Sequence, residues 1–439
     1  MTTPTNRPRD RRAARRAAAA LAFALAAAAP AGSSPQEMMT EQAAAAAARE
    51  LMPAVEELRG LAFSRPVPVR MVDDAVARAH FQKRLARFWP EKLLRAEQDV
   101  HVDLGLLPQG MDLEASVFSL LEEQAGGYYD PDTDTFYVLD DMPRSIAPVL
   151  IVHELTHALD DQHFALDAFF EKAMDDTDRS AVAGAVVEGS GSLVMTAFLL
   201  REVKAGRLSL DILKELARSE AGRAEKLKAA PPVLQRSLLA PYVLGQTLAL
   251  RGNPMGLVQG VSPADLDRLF RDPPLSTEQL LHPEKYWDPA QADPPRPVAL
   301  SDQSALLGEG WSLAADGSLG ELTVALLCGA STPAFDSAEV SQPARWTNDC
   351  AAGWGGDRWQ LYRGGGGRVT LLASRWDSER DAEEFASGTR GLPEGASIRR
   401  QGTTVVVAAG SPSPARDALA AAALRSLEPP APVPSAPRQ

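Results

Sequence analysis

Positive charge and cysteine are both scarce in this chain of 439 residues. Its 45 Lys and Arg residues are outnumbered by 58 Asp and Glu residues, which gives a formal net charge of −13. This balance argues against a nucleic-acid-binding protein that works through phosphate contacts. Since Cys328 and Cys350 are the only two cysteines, thiolates cannot form a zinc site alone, and a metal site here has to use histidine and carboxylate ligands.

The N-terminal region lacks an apolar run that spans a bilayer comfortably, because the run from Ala17 to Ala29 is too short. Six arginines precede this run, and Ala29-Pro30-Ala31 follows it with small residues suited to cleavage. Residues 1–31 are therefore predicted to be a secretory signal peptide, with a retained membrane anchor as the alternative. No cysteine lies near the cleavage site, which argues against a lipid anchor. We expect an exported protein, periplasmic or extracellular, with no stable transmembrane segment after cleavage.

In an exported protein the two cysteines have two alternative states. Cys328 and Cys350 can form one disulfide that closes a loop in the C-terminal region. Alternatively, both remain buried free thiols. The residues alone favour neither state.

The length of the chain predicts two or three domains, and its mixture of helical and strand-like sequence patterns predicts an α+β protein. Residues 32–125 are mainly helical in pattern, and whether they form a removable propeptide is open. Residues 126–298 begin with apolar-aromatic runs around the turn Asp130–Asp134, which predicts a β-hairpin, and continue as helices of a catalytic domain. Residues 299–427 are expected to form a smaller α/β domain, and the proline-rich residues 428–439 to be disordered.

The motif HELTH, from His153 to His157, carries the chemistry of the chain. On a helix His153 and His157 project from one face and can hold one Zn²⁺. Glu154 lies one position further round, where it can reach a water on the metal and act as a general base. The alternative is an exposed helix with two surface histidines. However, the flank Val149–Val152 is apolar, and burying these polar groups is costly without a partner such as a metal.

Two residues compete as the third protein ligand. His163 has the spacing of the extended metzincin pattern, ten residues after His153, but Asp160 stands where that pattern needs a glycine. Glu188 lies on a second predicted helix with small neighbours, and His-His-Glu is a common catalytic zinc set. We favour Glu188. His163 is then a packing or supporting residue, and Asp160 or Asp161 could orient a ligand imidazole.

Four stretches, GGYYDPDTDTFYV, HELTHALDDQHF, VVEGSG and STEQLLHPEKY, fall within roughly residues 90–290. Together they resemble the gluzincin metallopeptidases, the thermolysin-like half of the zincins, and more narrowly a group of exported bacterial gluzincin-like proteins. This resemblance implies a zincin-like fold, in which a mixed sheet packs on the active-site helix and leaves an edge strand available to an extended peptide. The hairpin at residues 128–139 could supply that edge.

The resemblance also implies a set of site residues. His153, His157 and Glu188 match the metal ligands of the family, and Glu154 matches its general base. Thermolysin has an acidic residue, one turn beyond its glutamate ligand, that supports a histidine. In this chain Gly191-Ser192 occupies the matching position, so the support of the histidines must differ.

Zinc peptidases usually have a second electrophile beside the metal to stabilise the oxyanion. Tyr242, His282 and Tyr286 are candidates, each with an ordinary packed or exposed side chain as the alternative. We favour His282, because a polar segment flanked by proline is expected to line a cleft rather than fill a core.

We therefore expect an exported zinc metallopeptidase that hydrolyses the peptide bonds of a protein or peptide substrate, with Glu154 as base and His282 or Tyr242 stabilising the oxyanion. The alternative is a catalytically silent zincin-fold scaffold of the cell envelope. In that alternative a tryptophan-rich C-terminal domain engages a partner. The tryptophans of this region are expected to form its core, with an exposed binding face as the alternative; they are Trp311, Trp346, Trp354, Trp359 and Trp376.

Overall fold

A computed structural model describes residues 37–124, 126–209, 211–212, 226–253, 255–333, 339–389, 391–410 and 416–427. The predicted signal peptide and the predicted disordered tail both lie outside these described residues. Helix accounts for 52% of the structure and strand for 15%, in two small sheets, so the predicted α+β class is confirmed.

The chain divides into two compact units whose sequence ranges interleave. Among the described residues, the first unit takes those within 37–94, 110–294 and 331–347, and the second takes those within 95–109, 295–330 and 348–427. Most of the predicted helical N-terminal region therefore shares a unit with the predicted catalytic region. The change of unit after residue 294 lies four residues before the predicted end of that region at 298.

The first unit is mainly helical, with one three-stranded sheet. Its elements are α1 (Glu41–Arg59), β1 (Val69–Val72), α2 (Asp74–Phe88), the start of α3 (Glu91–Asp103), α4 (Leu113–Gln124), β2 (Gly127–Asp130), β3 (Thr135–Leu139), α5 (Ala147–Phe164), α6 (Leu166–Glu171), α7 (Thr177–Lys204), α8 (Pro232–Ala249), α9 (Gly256–Gln259), α10 (Pro263–Arg271), α11 (Thr277–Leu281) and α12 (Glu284–Trp287).

Helix α7 is the centre of this unit and packs against α1, α5 and α8. It begins at the N-cap Asp176, whose side chain accepts a hydrogen bond from the backbone N–H of Arg179. Among the described residues it is the one helix long and apolar enough to cross a membrane, and 83% of its most apolar window is buried inside the protein. Such burial is what the core helix of a globular unit requires.

Two glycines allow α7 and α8 to touch through their backbones. A Cβ on Gly245 would lie 1.9 Å from the carbonyl oxygen of Ala185, and a Cβ on Gly189 would lie 2.4 Å from the carbonyl carbon of Gly245. Any side chain at either position would force the helices apart. Gly189 is the residue next to Glu188, so the α7–α8 contact helps to fix the position of the Glu188 carboxylate.

The small sheet has the order β1-β3-β2, with β1 parallel and β2 antiparallel to β3. The predicted hairpin is therefore present, and β2 is an edge strand. Tyr129 pairs with Phe136, whose own N–H bonds to Pro68 on the other side of β3. The backbone groups of Tyr129 consequently face the open edge of the sheet, because hydrogen-bonding directions alternate along an antiparallel strand.

The second unit is built on a five-stranded antiparallel sheet with the order β4-β5-β6-β8-β7. Trp354, Trp359 and Trp376 are fully buried in it, so these tryptophans belong to its core. Its elements, besides the rest of α3, are β4 (Ser312–Gly317), α13 (Gly320–Leu327), β5 (Trp354–Gly364), β6 (Gly367–Trp376), α14 (Glu379–Gly388), β7 (Ser397–Gln401), β8 (Thr404–Gly410) and α15 (Arg416–Ser426).

Residues 95–109 join this unit through charge pairs between α3 and the sheet. Asp99 pairs with Arg363 at 2.6 Å, and Asp103 pairs with Arg368 at 2.8 Å. These contacts explain why a stretch expected to belong to the N-terminal region packs with the C-terminal strands. Pairing across more than 260 positions leaves no mark in local sequence patterns.

Cys328 and Cys350 form a disulfide, so the two alternatives left open by the sequence are decided. The bond closes a loop across a sequence separation of 22. A covalent crosslink of this kind stabilises a protein mainly by restricting its unfolded chain.

Replacing both Cys328 and Cys350 by serine should lower the free energy of unfolding of the second unit by about 3 kcal/mol, from the loop-closure entropy that the crosslink removes. Denaturant unfolding followed by tryptophan fluorescence measures this loss, since Trp354, Trp359 and Trp376 are buried in this unit. Equal unfolding midpoints for the double variant and the oxidised wild type would contradict the assignment.

Candidate metal centre

Three side chains converge between helices α5 and α7. The Nε2 atoms of His153 and His157 lie 2.9 Å apart, and Glu188 Oε2 lies 3.2 Å from the first and 3.5 Å from the second. Both histidines are buried, whereas Glu188 is partly exposed. One potential ligand atom from each residue therefore points at a common centre.

The spacing of these atoms suits zinc. Zinc in a tetrahedral site lies about 2.0–2.2 Å from histidine nitrogens and carboxylate oxygens, which places neighbouring ligand atoms about 3.3 Å apart. The three observed separations of 2.9, 3.2 and 3.5 Å bracket this value. A three-ligand set also leaves the fourth position for water or substrate, as catalytic zinc sites do.

Local helix geometry accounts for the histidine pair. His153 and His157 lie on successive turns of α5, so their rings meet edge to face with centroids 4.5 Å apart. The buried flanks Val149, Ile151 and Val152 hold this helix in the core, as their apolar character predicts. Glu188 comes from α7, which packs directly on α5.

Gly191 makes room for both histidine rings. A Cβ built on it would lie 2.8 Å from His153 Cε1 and 2.9 Å from His157 Cε1. If either ring moved away from such a Cβ, its Nε2 atom, the candidate ligand atom, would move as well. The glycine one turn beyond Glu188 is therefore a steric requirement of the histidine pair.

Glu154 is held beside the pair by the edge strand. Its Oε2 accepts a hydrogen bond of 2.9 Å from the backbone N–H of Tyr129, on the open edge of β2. Burial raises the pKa of Glu154 above its ordinary value, although His153 and His157 oppose the shift. A carboxylate with a raised pKa is better suited to accept a proton near neutral pH.

The ligand candidates are electrostatically paired with one another. Burial alone would lower the pKa of His157, but the adjacent Glu188 carboxylate outweighs it and raises this pKa to about 9. At Glu188 burial acts in the opposite sense, and the two histidines outweigh it and hold the pKa below its usual range. Glu188 is consequently an ionised carboxylate, the form in which it can bind a cation.

The alternative third ligand lies elsewhere. His163 Nε2 lies 2.8 Å from the carbonyl oxygen of Ala62, outside the group formed around His153. Asp160 and Asp161 do not orient a ligand imidazole either. Asp160 bonds to other groups, described below, and Asp161 accepts hydrogen bonds from the Tyr129 hydroxyl and the Leu166 N–H.

Tyr242 is the one oxyanion candidate that the structure brings to the histidine pair. Its ring lies nearly parallel to that of His153, with centroids 6.1 Å apart, and the residue is 45% exposed. The adjacent Pro241 lies inside α8. Tyr242 therefore lies beside His153 at a position that solvent can reach.

The segment that contains His282 and Tyr286 has a structural role. Thr277 N–H bonds to Asp178 at the start of α7, ten residues and therefore about 15 Å from Glu188 along the helix. His282 Nδ1 lies 3.8 Å from Glu284, and the Tyr286 hydroxyl donates to the carbonyl oxygen of Asp272.

The residues just before His282 lie in a core, and the expectation that His282 itself lines a cleft stays a prediction. Ser276, Thr277 and Glu278 are buried, and Lys285 bridges Glu278 and Asp293. Buried polar groups that form hydrogen bonds to one another can lie in a core with little loss of free energy. The number of polar residues in a segment therefore does not show whether the segment is buried.

Sequence reasoning missed the N–H of Tyr129 and the steric role of Gly191. A backbone donor has no residue-type signature. The glycine did leave a signal, since a glycine inside a helix costs about 1 kcal/mol relative to alanine and indicates a close approach.

A domain family of unknown function, DUF8575, matches residues 312–423. Residues 331–347 of this range belong to the first unit, and the rest belongs to the second. No curated protein matches the chain, and no solved structure matches it.

Replacing Gly191 by alanine should weaken zinc binding at least about 10-fold, because the added methyl displaces both histidine rings. Gly184 on the same helix is a matched control, since a Cβ there meets only Pro241 at 3.9 and 4.0 Å. Zinc stoichiometry and chelator competition measure the effect. Equal affinities for the two variants would show that the ring positions are not sterically fixed.

Proposed function

We propose that this protein is a zinc-dependent metallopeptidase, and that it acts outside the cytoplasm. One observation carries the proposal. Two histidines and a glutamate present ligand atoms 2.9–3.5 Å apart, with a second glutamate of raised pKa held beside them. A zinc ion at such a site would act as a Lewis acid and could activate a water molecule for hydrolysis.

His153, His157 and Glu188 would hold the metal. A bound zinc ion would polarise the scissile carbonyl and acidify the attacking water. Glu154 would accept a proton from that water and deliver it to the leaving amine. The Tyr129 N–H fixes one oxygen of this carboxylate and leaves the other for the proton transfer.

The edge strand β2 supports a peptide as the substrate. The backbone groups of Tyr129 face the side of the sheet that has no neighbouring strand, and because its N–H bonds to Glu154, its C=O is the group left to pair with a peptide. An extended chain that pairs with this edge would place a peptide carbonyl beside Glu154. This arrangement agrees with the gluzincin resemblance of the motifs, which supports the same substrate class.

Tyr242 would donate its hydroxyl proton to the oxyanion that forms at the carbonyl. The ring stacks near His153 and is accessible, as such a donor must be. His282 is a weaker choice because its segment is anchored at the start of α7.

The scaffold alternative has less support. Four of the five tryptophans expected to form its partner surface, Trp346, Trp354, Trp359 and Trp376, are at most 1% exposed. A silent metal site also has no need of a second glutamate that is not a ligand, such as Glu154, beside it.

Replacing Glu154 by glutamine should leave zinc binding intact and reduce kcat by roughly 10²–10⁴-fold, because only the proton acceptor is lost. Cleavage of a broad peptide library, with zinc content measured on the same samples, tests this. Glu188→Gln is the companion variant, which should lose zinc itself. A wild type that binds zinc and cleaves no peptide would instead favour the scaffold.

Replacing Tyr242 by phenylalanine should lower kcat roughly tenfold or more with little change in KM, since the phenol acts mainly in the transition state. His282→Ala should leave both constants unchanged because this residue lies in the anchored segment. Steady-state kinetics on one peptide decides between them. The reverse pattern would assign the oxyanion role to His282.

A further inference from the structure

A buried hydrogen bond joins the two helices that carry the ligand candidates. Ser190 Oγ donates to Asp160 Oδ2 at 2.6 Å, and both residues are completely buried. Asp160 lies three residues after His157 on α5, and Ser190 lies two residues after Glu188 on α7. The bond therefore connects the helices within one turn of the ligands on each side.

The N-terminal helix supplies the cation that neutralises this junction. Arg59, the last residue of α1, is fully buried and donates from Nε to Asp160 Oδ1 at 2.7 Å. It also donates from Nη1 to Asp267 of α10 at 2.9 Å. Its guanidinium lies 5.5 Å from the ring centre of Phe164 and 5.8 Å from that of Phe270.

Forming this ion pair and removing one of its partners have very different effects on the stability of the protein. A buried ion pair contributes little net stability, but removing one partner leaves an unpaired buried charge at high cost. Without Arg59, the Asp160 carboxylate would have to gain a proton, attract water or move. Each of these changes occurs one turn from His157 and would alter how α5 faces α7.

We propose that Arg59, Asp160 and Ser190 are positioning residues that set the distance between α5 and α7, and with it the spacing of the three metal ligands. This inference rests on the proposed metal site and deepens it. It also makes α1 a permanent part of the metal-binding protein, and not a removable propeptide. The burial of Ala44, Ala48 and Val55 on the same helix agrees with this.

The test compares the zinc affinity of full-length variants. Ser190→Ala removes one hydrogen bond and adds no bulk, and we expect it to weaken zinc binding about 10-fold, a typical loss for a group that supports metal ligands. Ser180→Ala is the matched control, because Ser180 lies on the same helix, eight residues before Glu188, and its hydroxyl donates a hydrogen bond to the carbonyl oxygen of Ala173, which precedes the helix. It should leave the affinity unchanged.

Two further readouts separate positioning from general stability. Circular dichroism of the metal-free proteins should show Ser190→Ala folded, and the absorption spectrum of bound Co²⁺ should differ from wild type only in variants of the network. Arg59→Lys, which keeps the charge, should retain more affinity than Arg59→Met. The mass of the zinc-loaded protein after export should include Arg59.

Several outcomes would overturn the proposal. Ser190→Ala with wild-type affinity and Co²⁺ spectrum would refute the positioning role, and an active mature protein without α1 would refute its permanence. A wild type without zinc affinity would remove both this inference and the proposed function. If the wild type binds zinc but cleaves nothing, the peptidase proposal fails, and the affinity comparison still decides this one.

Discussion

The close packing of α7 against its neighbouring helices is the constraint on which the rest of the first unit depends. Gly189 lets α8 touch it on one side, Gly191 admits the histidine rings on another, and Ser190 bonds to Asp160 between them. Three consecutive small residues thus serve three different partners. A helix that packs this closely against several neighbours needs small side chains at the contact points. Glu188 directly precedes the run of small residues from Gly189 to Gly191.

The candidate site combines rigid and accessible parts. His153, His157 and Glu188 are held by buried helices, which suits ligands that must keep a fixed spacing. By contrast, Tyr242 is exposed, and Tyr129 offers its backbone from an open sheet edge. The groups proposed to bind a cation therefore belong to the core, and the groups proposed to meet a substrate lie at its border.

Local patterns predicted the features that lie within a few turns of the chain. The HELTH helix, the hairpin before it and the α+β class follow from periodicity and turn chemistry. Contacts between distant positions could not be predicted, because Arg59 and Asp160 are 101 positions apart and neither residue type indicates its partner. The interleaving of the units has the same cause. The pairing of the polar neighbours of His282 with one another in a core was equally unpredictable, and the role of His282 itself stays a prediction.

The hydrogen bond from the Tyr129 N–H to Glu154 determines which changes of sequence can disturb the Glu154 carboxylate. Because the donor is a main-chain N–H, every residue except proline at position 129 can supply it. The orientation of the Glu154 carboxylate therefore depends on strand pairing and hairpin length, and a one-residue insertion in the turn would change it, whereas among point substitutions only proline removes the donor. A side-chain scan of this strand would miss the backbone donor that holds the proposed base.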